Sequence, residues 1–352
     1  MKNFQKYITY IFIILFLVIF TIYNFDEYKT FHQNKIELIQ RNTDLNEKLD
    51  SFELKYIEKL DDVQFYFTPN KELLTKIVWL INNSKDEIFL ETYMLTEKRV
   101  QEALIKAKKR WIKIKIILEK APYMAYNINN KAYNKLEKEW INILWSDKSH
   151  YAFNHTKVLL IDDLSIISTG NYSYSTFTKN RDFFIFTTDN KIHSKLKKNF
   201  NNDYEWIKIN IYDDNLIFSP NSSRIKFEKM FNSAQSDIKM YFQYMKDDTL
   251  VELLIKIKND KDIDISIIIP KTAINDENTI KLKNAWINIK ILPKYKVHAK
   301  AILIDKKYLF IWSINFSNYS IDRNREVWIL LKNSKIINDF LNIYNQDIKK
   351  SF

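Results

Sequence analysis

The sequence has 352 residues, of which 46% are apolar and 15% aromatic, and a formal net charge of +12. Such a length holds about two domains and an appendage, and the apolar share is enough for packed cores. The absence of cysteine excludes disulfides, thiolate catalysis and Cys-ligated metal. The basic balance suits anionic partners such as phospholipid headgroups or nucleic acid, without choosing between them.

Composition carries little more. Lys, Asn and Ile abound beside one glycine and five prolines, the skew of an AT-rich coding bias.

Residues 7–25, YITYIFIILFLVIFTIYNF, carry no charge. Nineteen such residues can cross a hydrocarbon core of roughly 30 Å as a helix. Lys2 and Lys6 precede the stretch, and Asp26 and Glu27 follow it. The positive-inside rule then predicts a single-pass membrane protein, with a cytoplasmic N-terminus and extracytoplasmic catalytic domains. No small-x-small cleavage site follows, so residues 1–26 read as an uncleaved anchor rather than a signal peptide. Over 27–61 the residues Leu38, Leu45, Leu49, Phe52, Tyr56 and Leu60 form an amphipathic stripe, predicting a helical stalk.

From about residue 62 the pattern becomes α/β and repeats itself. The first copy has strands at 63–70, 87–95 and 112–119, with helices ending near Ile81 and Lys109. The second has strands at 215–223, 237–245 and 264–270, with helices at 224–233 and 249–259. Each copy then shows Trp-Ile-Asn-Ile, at 140–143 and 286–289, and closes on a His-x-Lys strand. The expected fold class is α/β: two similar sandwich domains, 62–208 and 209–352, related by a pseudo-twofold axis. Loops 121–127 and 271–278 follow strand ends, where α/β folds bind ligands.

The two closing segments align. The first runs His155-x-Lys157, Asp162, Asn171, Asp182, and the second His298-x-Lys300, Asp305, Asn315, Glu326. Lys to Asp is five residues in both, and Asn to the acid is eleven in both. Each acid ends an Asn-Arg-acid triplet, and two of only five histidines head the pattern. Residues two apart on a strand share a face, so His and Lys project together. A lysine on an apolar strand needs a partner, and a phosphate supplies one.

Two His, two Lys and two Asn around one phosphate define a phosphodiester site. One imidazole attacks phosphorus, and the other protonates the leaving oxygen and later deprotonates the incoming hydroxyl. Lys157, Lys300, Asn171 and Asn315 donate to the non-bridging oxygens. Asp182 and Glu326 are the candidates to orient the imidazoles.

The duplicated HxKx4D pattern with its Asn resembles the phospholipase D superfamily over roughly residues 62–352. The resemblance implies a metal-independent, cofactor-free ping-pong reaction between two domains, with His155 as nucleophile and His298 as its partner. It implies a structural role for Asp162 and Asp305. The family has Gly-Ser-x-Asn after the Asp. Here the first copy reads Ser168-Thr169-Gly170-Asn171, one residue short, and the second reads Trp312-Ser313-Ile314-Asn315. Gly170 is expected to let the shortened turn deliver Asn171.

The predicted activity is a membrane-anchored phospholipase D-like phosphodiesterase that cleaves or transfers phospholipid headgroups. The alternatives are a superfamily nuclease acting on DNA or RNA, a cardiolipin synthase-like phosphatidyltransferase, and a catalytically silent scaffold. Oligomeric state is not legible.

Overall fold

The computed structural model describes residues 46–208 and 211–352. Residues 52–352 form one compact unit. The first copy contains β1 (Gln64–Phe67), α1 (Lys71–Asn82), β2 (Glu87–Thr92), α2 (Lys98–Lys109), β3 (Lys113–Leu118), α3 (Asn130–Lys138), β4 (Asn142–Trp145), β5 (Lys157–Ile161) and β6 (Leu164–Ser168). It ends with α4 (Tyr174–Thr178), β7 (Asn180–Arg181), β8 (Phe183–Thr187) and α5 (Asn190–Tyr204). The second contains β9 (Leu216–Ser219), α6 (Ser223–Ser233), β10 (Asp237–Tyr241), β11 (Met245–Lys246), α7 (Asp248–Lys261), β12 (Asp264–Ile269), α8 (Glu277–Asn284), β13 (Asn288–Ile291) and β14 (Lys296–Val297). It closes with β15 (Ala301–Ile304), β16 (Tyr308–Trp312), β17 (Phe316–Ser317), α9 (Asn318–Asp322), β18 (Glu326–Leu331) and α10 (Ser334–Lys349).

Two seven-stranded mixed sheets result, ordered β1-β8-β6-β5-β2-β3-β4 and β9-β18-β16-β15-β10-β12-β13. The orders correspond strand for strand, so the sequence repeat is a structural duplication. In β5, Val158 and Leu160 join one hydrophobic core while Leu159 and Ile161 join another, as the strand's alternation dictates. The sheets share a central core, built from residues such as Phe89, Phe183, Leu303 and Ile329 with Phe200 of α5 and Phe340 of α10. The remaining helices cover the outer faces.

Four helices end alike. Trp111, Trp140, Trp206 and Trp286 follow the C-caps of α2, α3, α5 and α8 at φ 70°, 59°, 57° and 60°. A bulky residue in the left-handed region is strained, and helices usually place glycine at this position.

Two expectations change. Of the predicted stalk, residues 46–51 are helical, but Phe52, Leu54, Ile57 and Leu60 are buried in the compact unit's cores. Their apolar stripe is therefore core from Phe52 onward. The single-pass membrane location is also corrected. Among the described residues no helix is long and apolar enough to cross a membrane, and the stretch at 7–25 lies outside the described residues.

Candidate active site

Both His-x-Lys segments enter at the carboxyl ends of parallel strands. In the β2–β5 register Thr92, the last residue of β2, faces Lys157, the first of β5. Ahead of β5 the chain leaves its own sheet and pairs with the other copy. The His155 N–H donates to the Arg325 carbonyl at 2.8 Å, and Asn154 bridges to Arg325. On the second side β14 pairs with β7, Val297 facing Arg181, and the N–H groups of His298 and Ala299 donate to the Arg181 carbonyl. Each histidine is thus held by the Asn-Arg-acid triplet of the opposite copy.

The carboxylates cross in the same way. His155 Nδ1 lies 2.9 and 3.1 Å from the two oxygens of Glu326. His298 Nδ1 lies 2.8 Å from Asp182 Oδ1. A carboxylate at Nδ1 fixes the tautomer with the proton there and leaves Nε2 for chemistry. Hydroxyls support both acids: Thr169 donates to Asp182 at 2.6 Å, and Ser313 hydrogen-bonds Glu326. The lysines fold back, Lys157 Nζ donating to the His155 carbonyl at 2.7 Å and Lys300 Nζ to that of His298 at 2.5 Å.

Burial governs the charges. It holds the His155 imidazole well below its ordinary range, assisted by the charges of Lys157, Lys300 and His298. It pushes His298 down to about 4 against the pull of Asp182. It lowers Lys157 well below the usual lysine range and Lys300 to about 8, with Glu326 and Asp182 opposing. Glu326 is pushed up to about 7. Burial acts on Asp182 in the same sense, but His298, Lys300 and the Thr169 hydroxyl outweigh it and bring the carboxyl below its ordinary value. The two pairs therefore differ: Asp182 faces its imidazole as an anion, while Glu326 titrates near neutrality.

The remaining residues sort clearly. Asn171 and Asn315 follow β6 and β16, whose last residues lie beside the starts of the strands that the lysines lead into. Among the described residues Asn171 Oδ1, Asn315 Oδ1 and Asp182 Oδ2 are buried without a hydrogen-bond partner, which is uncommon for buried polar atoms. Gly170 lies against the acid. A Cβ there would meet Thr176 Cγ2 at 2.6 Å and Asp182 Cγ at 2.9 Å, and its φ is not positive. Its requirement is close approach to Asp182 rather than a left-handed turn. Trp312 is fully buried behind the second turn, stacked on Trp328 with ring centroids 4.9 Å apart.

Asp162 and Asp305 sit apart, at the far ends of β5 and β15. Asp162 accepts from the amides of Lys85, Asp86 and Glu87, and Asp305 from those of Gln235, Ser236 and Asp237.

The structure adds residues that the sequence did not single out. Arg181 donates bidentately to Asp347 of α10, at 2.7 and 2.8 Å, and Arg325 donates to Asp203 of α5 at 2.8 Å. Buried Arg–carboxylate pairs of this kind set geometry, here that of the backbone carbonyls that hold the histidines. Tyr93 packs edge-on against His155 with ring centroids 4.4 Å apart. The arginines stood in the Asn-Arg-acid triplets, where only the acids drew notice. Thr169 stood where the second copy has Ser313.

Two His–Lys pairs, braced by each other's half of a duplicated mixed sheet, define the phospholipase D superfamily. The chain belongs to its family described as cardiolipin synthase, PLD-like domain, whose model matches residues 61–204 and 227–348. A cardiolipin synthase of Clostridium perfringens is 22% identical over 86% of this chain and 76% of that one. A phospholipase D of Rickettsia prowazekii is 24% identical over 40% of this chain. The match spans 66% of that relative's length, a little under two thirds. The crystal structure of a phosphatidylserine synthase from Haemophilus influenzae superposes with a TM-score of 0.70 over 89% of this chain and 91% of that chain, at 12% identity. A polyphosphate kinase from Porphyromonas gingivalis gives 0.63 over 81% of this chain and 50% of that chain, at 14% identity. At these identities the structures speak to fold.

Proposed function

We propose that the chain is a phospholipase D-type enzyme that moves a phosphatidyl group from one hydroxyl to another through a phosphohistidine, without metal. The observation that carries the reading is the crossed bracing of His155 and His298 beside the two buried lysines Lys157 and Lys300. The cardiolipin synthase relative, matched along most of both chains, supports a phospholipid substrate and an alcohol as acceptor, with water as the other acceptor.

Neutral His155 attacks phosphorus through Nε2. The bond from phosphorus to the headgroup oxygen breaks, and the His298 imidazolium gives that oxygen its proton. The incoming hydroxyl then surrenders its proton to His298 and attacks phosphorus, the P–N bond breaks, and neutral His155 returns. The pairings support this division. The Asp182 anion stabilises an imidazolium on His298, whereas burial and the neighbouring lysines keep His155 uncharged and nucleophilic, with Glu326 against its Nδ1. The substrate's own negative charge raises His298 and the lysines from their values in the empty site. Lys157, Lys300 and the Asn amides then hold the non-bridging oxygens.

The test is to incubate the purified full-length protein with phosphatidylglycerol or phosphatidylcholine and an alcohol in chelator, following headgroup release and an acid-labile phosphoenzyme. Headgroup exchange is expected. Cleavage of single-stranded DNA with no lipid turnover would assign the site to nucleic acid instead.

A further inference from the structure

The loop leaving β3 is built to be rigid yet shows apolar side chains to solvent. At its base the buried Asn129 donates from Nδ2 to the carbonyls of Tyr93 and Glu119, both at 2.8 Å, and accepts from the Leu95 N–H at 3.0 Å. The Tyr123 N–H donates to the Tyr93 hydroxyl at 2.6 Å. Successive turns, from the Ala125 N–H to the Pro122 carbonyl and from the Ile128 N–H to the Ala125 carbonyl, fix the span between. Despite this order Tyr123 is 66% exposed, Met124 81%, Tyr126 63% and Ile128 44%.

Ordering a backbone costs conformational entropy, and these side chains recover little of it by burial. Such patches mark interaction surfaces. This one lies at the mouth of the site, since Tyr93, which holds Tyr123, packs on His155. Tyrosines with aliphatic side chains suit the lipid–water boundary. Exposed Lys120 and Lys131 flank them, in a chain of net charge +12.

We infer that residues 121–128 dock on an anionic lipid surface and bring the site mouth to headgroups held in a membrane. This rests on the phosphatidyl-transfer reading for its purpose, though not for its test. The chain has no cysteine, so Met124→Cys and Lys85→Cys each create one labelling site in the full chain. Lys85 is the control, at the amino end of β2, where Asp162 holds its amide. With an environment-sensitive fluorophore, phosphatidylglycerol vesicles should raise the emission at 124 several-fold, and brominated acyl chains should quench it, with no change at 85. No response at 124, or equal responses at both positions, overturns the inference. A response at 124 without headgroup turnover leaves the docking standing and removes the reaction assigned to it.

A separate observation concerns tryptophan. After α2, α3, α5 and α8 the chain reads Trp-Ile, and each Trp has positive φ. The hydrogen bonds are those of a glycine-ended helix: Ile112 to Ala107, Ile141 to Leu136, Ile207 to Asn202 and Ile287 to Leu282, each N–H to carbonyl five residues back. Trp111, Trp140 and Trp286 are 93%, 84% and 87% exposed, so packing does not repay the strain. Trp312 stands where the family's Gly-Ser-x-Asn pattern has glycine. The chain holds eight Trp and one Gly, against an average glycine share of about 7%.

We propose that these five positions are glycine in the protein its host makes, the triplet behind them being read there as glycine. Peptide mass spectrometry of the protein isolated from its host tests this directly. Peptides spanning 111, 140, 206, 286 and 312 should carry glycine; tryptophan at these sites overturns the proposal.

Discussion

The imidazole of His298 and the carboxylate of Asp182 are separated by 116 residues in sequence and 2.8 Å in space. His155 and Glu326, 171 residues apart, repeat the arrangement from the other side. Neither copy supplies both a histidine and the acid that orients it.

Removing one acid is therefore expected to disable the histidine of the other copy. In Glu326→Gln an amide nitrogen facing Nδ1 favours the proton on Nε2, the atom that attacks in the proposed reaction. A wrong tautomer costs about 10⁴-fold in rate. Rapid-quench measurement should find phosphoenzyme formation slowed by that order. Asp182→Asn should instead slow steps that need the His298 proton, and its loss should be smaller with a substrate whose leaving group is a good one.

The lysines set an alkaline limit. Burial brings Lys300 to about 8. Its charged form, which holds the phosphate in the proposed reaction, exists below that value and is lost as pH rises through it. Binding of inorganic phosphate to the empty site should weaken as pH rises above about 8. In Lys300→Arg the charge survives at all working pH, so the alkaline fall should weaken even though the maximum rate drops.

Gly170→Ala should act through Asp182. The new Cβ would stand 2.9 Å from the Asp182 carboxyl carbon, forcing a displacement. Misplacement of a catalytic group by about 1 Å costs roughly 10²-fold, and overpacking costs about 1–3 kcal/mol of stability. Thr176→Ser in the same chain removes the 2.6 Å contact but not the contact with Asp182. Thermal melts should then recover while kcat stays low.

Asp162→Ala and Asp305→Ala should do the opposite. Each strips acceptors from three backbone N–H groups, at about 1–3 kcal/mol. Each should lower the melting temperature and leave kcat per folded molecule within about twofold.

The duplication, the succession of strands and helices in each half and the His-x-Lys segments were legible because they rest on period and spacing, which survive in one dimension. Asp182 and Glu326 were legible as acids placed alike in the two copies for the same reason. Their crossing was not: identical spacing in both copies fits pairing within a copy and between copies equally well. Gly170 was expected to serve a turn, and its need became visible only when Asp182 was seen against it. The segment at 52–60 read as stalk because an amphipathic stripe looks alike on a free helix and on a chain laid into a core. The arginines 181 and 325 stood in plain view, but their partners Asp347 and Asp203 lie on helices with no motif around them.

The crossed bracing also bears on how such a chain can change over generations. A recombination that exchanged one half for a relative's would join a histidine to an acid selected beside a different imidazole. The halves are therefore expected to be inherited as one unit, and their ancestor to have worked only in pairs. Once joined in a single gene, the copies no longer had to be identical. An aspartate at one crossing and a glutamate at the other record that release.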